Sequence, residues 1–242
     1  MKDSKSLDLK KFYLTNDQVI PGHSIDQKKI YTGRCNNFKE NPIGFKKIVF
    51  LGDSITEGGN WNKYCNTENI VNRGIGGDTT EGILARLEEI YYYQPIAVFL
   101  LVGINDIFNT DFPGRDNVSS AYVAKNILLI ANKISENSQS TKLYIQTILP
   151  INQEVYTEIR GDFPVHSIPI STKINKINSL IKDMCKKNNL IQSIDLNSIF
   201  KNETGQLKRD YTEDGVHLNK KGYRAWTKRI RADVPLLNNL NN

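Results

Sequence analysis

The chain has 242 residues, 39% hydrophobic and 24% charged, with a net charge of +6 and a pI near 9.0. These proportions exclude a disordered chain and suit one α/β domain, which can run to this length undivided. The lysines are spread rather than clustered, which argues against a nucleic-acid partner, and no apolar stretch is long enough for stable membrane insertion.

The opening Met1-Lys2-Asp3-Ser4-Lys5-Ser6 is too polar for a signal peptide, so a cytoplasmic location is expected. Residues 1–45 show little periodicity and read as an extension packed on the body, without chemistry of its own. Pro21-Gly22 and Asn41-Pro42 mark turns in it, and His23 reads as a surface loop residue. The main domain is expected over 46–235, with 236–242 a polar tail. Cys35, Cys65 and Cys185 are far apart and odd in number, which suits reduced thiols better than a zinc site or a disulfide framework.

The first strand is expected at 47–51, an apolar run that stops at Gly52-Asp53-Ser54. A second, at 68–72, leads into Arg73-Gly74-Ile75-Gly76-Gly77-Asp78. A helix should follow, with Ile83, Leu84, Leu87 and Ile90 on one face, Asp78 as its cap, Glu81 completing a capping box, and Pro95 closing it. Residues 96–102 form the strongest strand, apolar on both faces as in a central parallel strand, and end in Gly103-Ile104-Asn105-Asp106.

After a polar loop with Pro113-Gly114, a helix is expected over 118–137, with Val123, Ile127, Ile130 and Ile134 inward. A strand at 143–149 follows, then a long loop over 150–171 that holds His166. A helix at 172–187 should bury Ile174, Ile177, Ile181 and Met184, before a fifth strand at 190–195. The last helix starts near Asn219 and turns Tyr223, Trp226 and Ile230 to one side. Alternating strands and helices imply a parallel sheet covered on both faces.

Three Gly-containing loops follow strands directly and should meet at one edge of the sheet, where open α/β sheets gather their ligands. Ser54 is there either a nucleophile or, with Asp53, only a helix cap. A serine hydroxyl needs a base within hydrogen-bonding reach and donors for the oxyanion. His217 is the candidate base, and Asp214, three residues before it, can hold the other ring nitrogen. Gly76 and Gly77 let a backbone amide point inward, and Asn105 offers a side-chain amide. A Gly-rich loop after a strand can equally cradle phosphate.

These four blocks, GDSIT at 52–56, NRGIGGDTT at 72–80, GIND at 103–106 and DGVH at 214–217, resemble those of SGNH/GDSL hydrolases over roughly residues 45–232. The second block is especially similar to the platelet-activating-factor acetylhydrolase branch. The resemblance implies a flavodoxin-like three-layer α/β/α sandwich with a five-stranded parallel sheet. It also implies a catalytic triad of Ser54, His217 and Asp214, with an oxyanion hole formed by the Ser54 amide, the Gly77 amide rather than that of Gly74, and the Asn105 side chain. Asp53 and Asp106 are expected to support these loops. Ile55 replaces the Leu of the GDSL pattern, an exchange of one buried apolar side chain for another.

The expected reaction is hydrolysis of an ester with a short acyl group, acetyl first, on a carbohydrate or other small alcohol. A lysophospholipase, a thioesterase or an O-acetyltransferase with the same triad are the alternatives, and a flavodoxin-like phosphate binder is a fourth. The expected partner is a small-molecule ester; no cofactor or metal is required, and a homo-oligomer is left open. Trp61, Tyr64, Phe108, Tyr156 and Phe163 are weighed as an acyl pocket against plain core packing, and His166 as a substrate contact against a solvated loop residue.

Overall fold

The computed structural model describes residues 12–13, 20–21, 23–108, 118–186 and 191–238. The expected loop around Pro113-Gly114, Gly22 of the first turn, and the ends of the helix at 187 and of the strand at 190 fall outside them. In chain order the elements are α1 (Ile25–Glu40), β1 (Ile48–Gly52), α2 (Ser54–Glu57), α3 (Trp61–Cys65), β2 (Ile70–Gly74), α4 (Thr80–Leu84) and α5 (Glu88–Tyr93). Then come β3 (Ala97–Leu101), α6 (Ile104–Phe108), α7 (Ser120–Asn137), β4 (Lys142–Gln146) and α8 (Gln153–Arg160). The chain continues through α9 (Ile170–Lys186), β5 (Ile191–Ile194), α10 (Asn197–Phe200) and α11 (Lys220–Asp233).

The five strands pair in parallel in the order β2-β1-β3-β4-β5, the doubly wound order whose switch point lies between β1 and β3. Register puts Phe50, Phe99 and Tyr144 side by side, and their rings stack in a row across the sheet. Trp61 of α3 stacks on Phe50, and Trp226 of α11 meets Trp61 edge-on, so these two helices cover that face. Successive side chains of a strand point to opposite faces. Val49, Leu51, Val98 and Leu100 therefore turn the other way, toward the layer in which α7 packs on α9 and α4. Every residue of β1 and β3 is buried, as the central strands of a two-sided parallel sheet must be.

Three expectations are corrected. Residues 25–40 form a sixteen-residue helix, capped by the Ser24 side chain. Its buried stripe is Gln27, Tyr31, Cys35 and Phe38, and the polar Gln27 at its head hides the helical period. The 150–171 segment contains α8, capped by Asn152; only Val155 of its eight residues is buried, so the sequence shows no stripe. The expected helix after the second block is two, α4 and α5, and Thr79 rather than Asp78 caps the first. The Asp78 side chain is instead turned inward to Arg86, at the break between them.

His23 is also relocated. Its side chain is 3% exposed and its ring lies edge-on to Tyr31, so it is not a surface residue. The three cysteines are free and buried. Among the described residues no helix is long and apolar enough to cross a membrane.

Candidate active site

β1 delivers Ser54 to the carboxyl edge of the sheet through a turn that only glycine allows at its start. A Cβ on Gly52 would lie 2.2 Å from the Leu101 carbonyl oxygen and from the Thr56 hydroxyl. Asp53 then caps α2, its Oδ1 accepting from the Ile55 amide at 3.0 Å. The cap reading of this turn holds for Asp53, and the Ser54 side chain points elsewhere. As the first residue of a helix, Ser54 also carries one of the amides that no intrahelical carbonyl can satisfy.

The Ser54 hydroxyl meets His217, whose Nε2 is 2.9 Å from Oγ. The two are 163 positions apart in sequence and meet only because the loop before α11 folds back over the sheet edge. Nδ1 of the same ring is 2.8 Å from Asp214 Oδ2, while Asp214 Oδ1 accepts from the amides of Val216 and His217 at 3.0 and 2.7 Å. Burial works against the Asp214 charge, but the bonds from the His217 ring and these two amides outweigh it and hold the carboxyl well below the usual carboxylate range. An ionised carboxylate on Nδ1 keeps the proton there and leaves Nε2 free to accept one. Gly215 has φ +88, and a Cβ on it would strike the Asn152 carbonyl and the Tyr156 amide, so the Asp-x-x-His loop is seated directly on α8.

The second and third blocks lock to each other beside Ser54. Asn105 donates from Nδ2 to the Asp78 carbonyl at 2.9 Å. Asp106, fully buried, accepts from the Thr80 amide at 3.0 Å and from the Thr80 hydroxyl at 2.6 Å. Asn126 of α7 adds a bond to the same hydroxyl at 2.9 Å. Gly77 has φ +70, a conformation that L side chains rarely adopt, at the residue whose amide is of interest.

Two arginines that sequence reasoning did not single out complete the frame. Arg86 binds Asp78 through Nε and Nη2 at 3.0 and 2.8 Å and also donates to the carbonyls of Arg73 and Gly52. Burial pushes the Asp78 carboxyl up to about 6 even with this guanidinium against it. The signal for Arg86 was a charged residue inside an apolar helical pattern. Arg160, the last residue of α8, donates to Asp214 Oδ2 and lies 3.2 Å from His217 Nδ1. No sequence signal marks it, because the segment reads as loop. Burial likewise pushes Asp53 up to about 7, opposed by the Ile55 amide and by His217.

The weighed aromatics divide. Trp61 is core, and Tyr64 stacks on Tyr223 of α11. Phe108, Tyr156, Phe163 and His166 instead form one cluster of edge-on and tilted rings beside α8. Phe163 and His166 face a cavity of about 490 Å³ bounded also by Ile151, Pro169 and Gln206. Burial, and to a smaller degree Lys173, pull the His166 ring below its ordinary pKa. Among the described residues no group of three or more His, Cys, Asp or Glu side chains is placed to hold a metal ion.

Comparison with known proteins adds a family and a set of relatives. The model of the GDSL-like Lipase/Acylhydrolase family matches residues 50–225. The platelet-activating factor acetylhydrolase IB subunit alpha2 of Rattus norvegicus is 28% identical over 182 residues, covering 73% of this chain and 70% of that protein. Subunit alpha1 of Bos taurus is 24% identical over 183 residues with the same coverage. Among solved structures, a GDSL-like lipase of Bacteroides thetaiotaomicron superposes with a TM-score of 0.68 at 23% identity, over 85% of this chain and 97% of that one. An acetyl xylan esterase does so with a TM-score of 0.62 at 22% identity, over 78% and 99%. At these identities the two structures show a shared fold.

Proposed function

The chain belongs to the GDSL-like lipase/acylhydrolase family and is a hydrolase of ester bonds, and we propose that it removes a short acyl group, acetyl in the first instance, from a carbohydrate or other small alcohol through an acyl-enzyme on Ser54. The observation that carries the reading is the 2.9 Å approach of His217 Nε2 to Ser54 Oγ, with Asp214 on the other ring nitrogen. Ser54 Oγ attacks the ester carbonyl as its proton passes to Nε2. Asp214 keeps the ring oriented and stabilises the imidazolium that forms.

The oxyanion of the tetrahedral intermediate is received by the Ser54 amide, the Gly77 amide and the Asn105 side chain, each worth about 3 kcal/mol by analogy with single-donor removals. His217 then returns the proton to the departing alcohol. Water, activated by the same imidazole, releases the acid and restores Ser54. Support for acetyl comes from the relatives: the alpha1 and alpha2 subunits are named acetylhydrolases and the structural neighbour an acetyl xylan esterase.

Turnover of p-nitrophenyl acetate by wild type and Ser54→Ala tests the mechanism. Loss of at least about 10³-fold in kcat is expected, and an undiminished variant overturns the reading. A series of acyl lengths, with product analysis in the presence of a sugar acceptor, tests the substrate. A steep fall beyond short chains and free acid as product are expected; preference for long chains, or acyl transfer to the sugar, overturns the acetylesterase assignment.

A further inference from the structure

The Gly76-Gly77 peptide presents a mechanical problem. Its N–H is the proposed oxyanion donor, yet two successive glycines allow a peptide to rotate end for end at little steric cost. A rotated peptide would aim its carbonyl oxygen at the oxyanion and repel it. Something outside the loop must therefore hold this peptide the right way round.

Helix α1 supplies that hold. Gln27, 5% exposed, donates from Nε2 to the Gly76 carbonyl at 2.7 Å. Its Oε1 lies against the α-carbon of Gly77, where a Cβ would come within 2.1 Å of it. One turn and two turns farther along the same helix, Tyr31 donates to the Gly82 carbonyl at 2.8 Å and Arg34 to the Gly74 carbonyl at 3.0 Å. Arg34 also pairs at 3.0 Å with Glu57, whose other oxygen accepts from the Gly76 amide at 2.6 Å. Gly76 is thus gripped at both its N–H and its C=O. α1 precedes the span of 50–225 that the family model covers, so the grip on the carbonyl comes from outside the family's matched core.

We propose that Gln27 is a positioning residue of the oxyanion site: its side-chain amide fixes the carbonyl end of the Gly76-Gly77 peptide and so aims the Gly77 N–H at the reacting ester oxygen. A bond accepted by the carbonyl also polarises the N–H of the same peptide, which strengthens it as a donor. The effect belongs to the transition state, because charge on the ester oxygen develops only there. The inference rests on the proposed reading of Ser54 as nucleophile and Gly77 as oxyanion donor.

The test uses the full chain with p-nitrophenyl acetate, comparing wild type with Gln27→Met and Gln27→Leu, both of similar volume and without a donor. Competent sites are counted by complete titration with a fluorophosphonate, so that kcat is expressed per reactive serine. The expected result is a fall of about 10-fold in kcat per titrated site with KM within about 2-fold, the pattern of an interaction lost in the transition state. Lys29→Gln, on the exposed side of the same helix, is expected to match wild type.

A kcat per site equal to wild type in both Gln27 variants overturns the inference. So does a loss seen only as fewer titratable sites and a lower melting temperature, since that is what a purely structural contact predicts. If Ser54→Ala is inactive in the same assay, those failures touch Gln27 alone. An active Ser54→Ala overturns the underlying reading as well.

Discussion

Arg160 donates through Nε to Asp214 Oδ2 at 2.9 Å, on the same carboxylate oxygen that holds the His217 ring. The guanidinium is also 3.2 Å from Nδ1 of the imidazole that accepts the Ser54 proton in the proposed mechanism.

Replacing Arg160 by Met takes away the anchor of the carboxylate that orients the His217 ring, and is expected to lower kcat by about 10-fold with KM little changed. Steady-state kinetics on p-nitrophenyl acetate checks it. An unchanged kcat removes the orienting role of Arg160.

Asn105 joins two blocks, since its Nδ2 reaches the Asp78 carbonyl while the side chain stands at the carboxyl end of β3. Asn105→Ala is expected to lower kcat by about 10²-fold, as for other single oxyanion donors, with a much smaller effect on KM. Steady-state kinetics on p-nitrophenyl acetate decides it. A rise in KM at constant kcat would show that Asn105 binds the ground state instead.

Asp53 makes stability depend on pH with a definite sign. Burial raises its carboxyl from 3.8 to about 7 in the folded chain, so between those values the native state holds a proton that the unfolded chain has released. Stability from this group then falls as pH rises through that window. Asn keeps the oxygen that caps α2 and does not titrate. Relative to wild type, Asp53→Asn should gain stability from pH 4 to pH 7, by up to about 4 kcal/mol, and stay level above. Urea denaturation at pH 4.5, 6 and 7.5 measures the difference; a relative loss for the Asn variant over that interval contradicts it.

The parts of the site that were legible in sequence are those whose chemistry is written locally. Gly52-Asp53-Ser54 and Gly103-Ile104-Asn105-Asp106 each follow an apolar run that reads as a buried strand, which places them at the same sheet edge before any coordinates are known. Asp214 and His217 are three apart, and a single loop brings them together. α8 was not legible, because a surface helix with one buried residue has no apolar period to read. α1 escaped for a related reason: the head of its buried stripe is a glutamine, which hydrophobic patterning counts as outward-facing.

By itself, then, the sequence determined the five-stranded α/β architecture and the four blocks that meet at its edge, because strand periodicity and turn residues act over a few neighbouring positions. Only the tertiary structure decided what surrounds those blocks. Gln27 meets Gly76 across 49 positions, Arg160 meets Asp214 across 54 and Arg86 meets the Gly52 carbonyl across 34. Such pairings follow from how helices pack on a sheet, where buried or half-buried polar groups must find partners wherever packing brings them. No local pattern of residues encodes that choice.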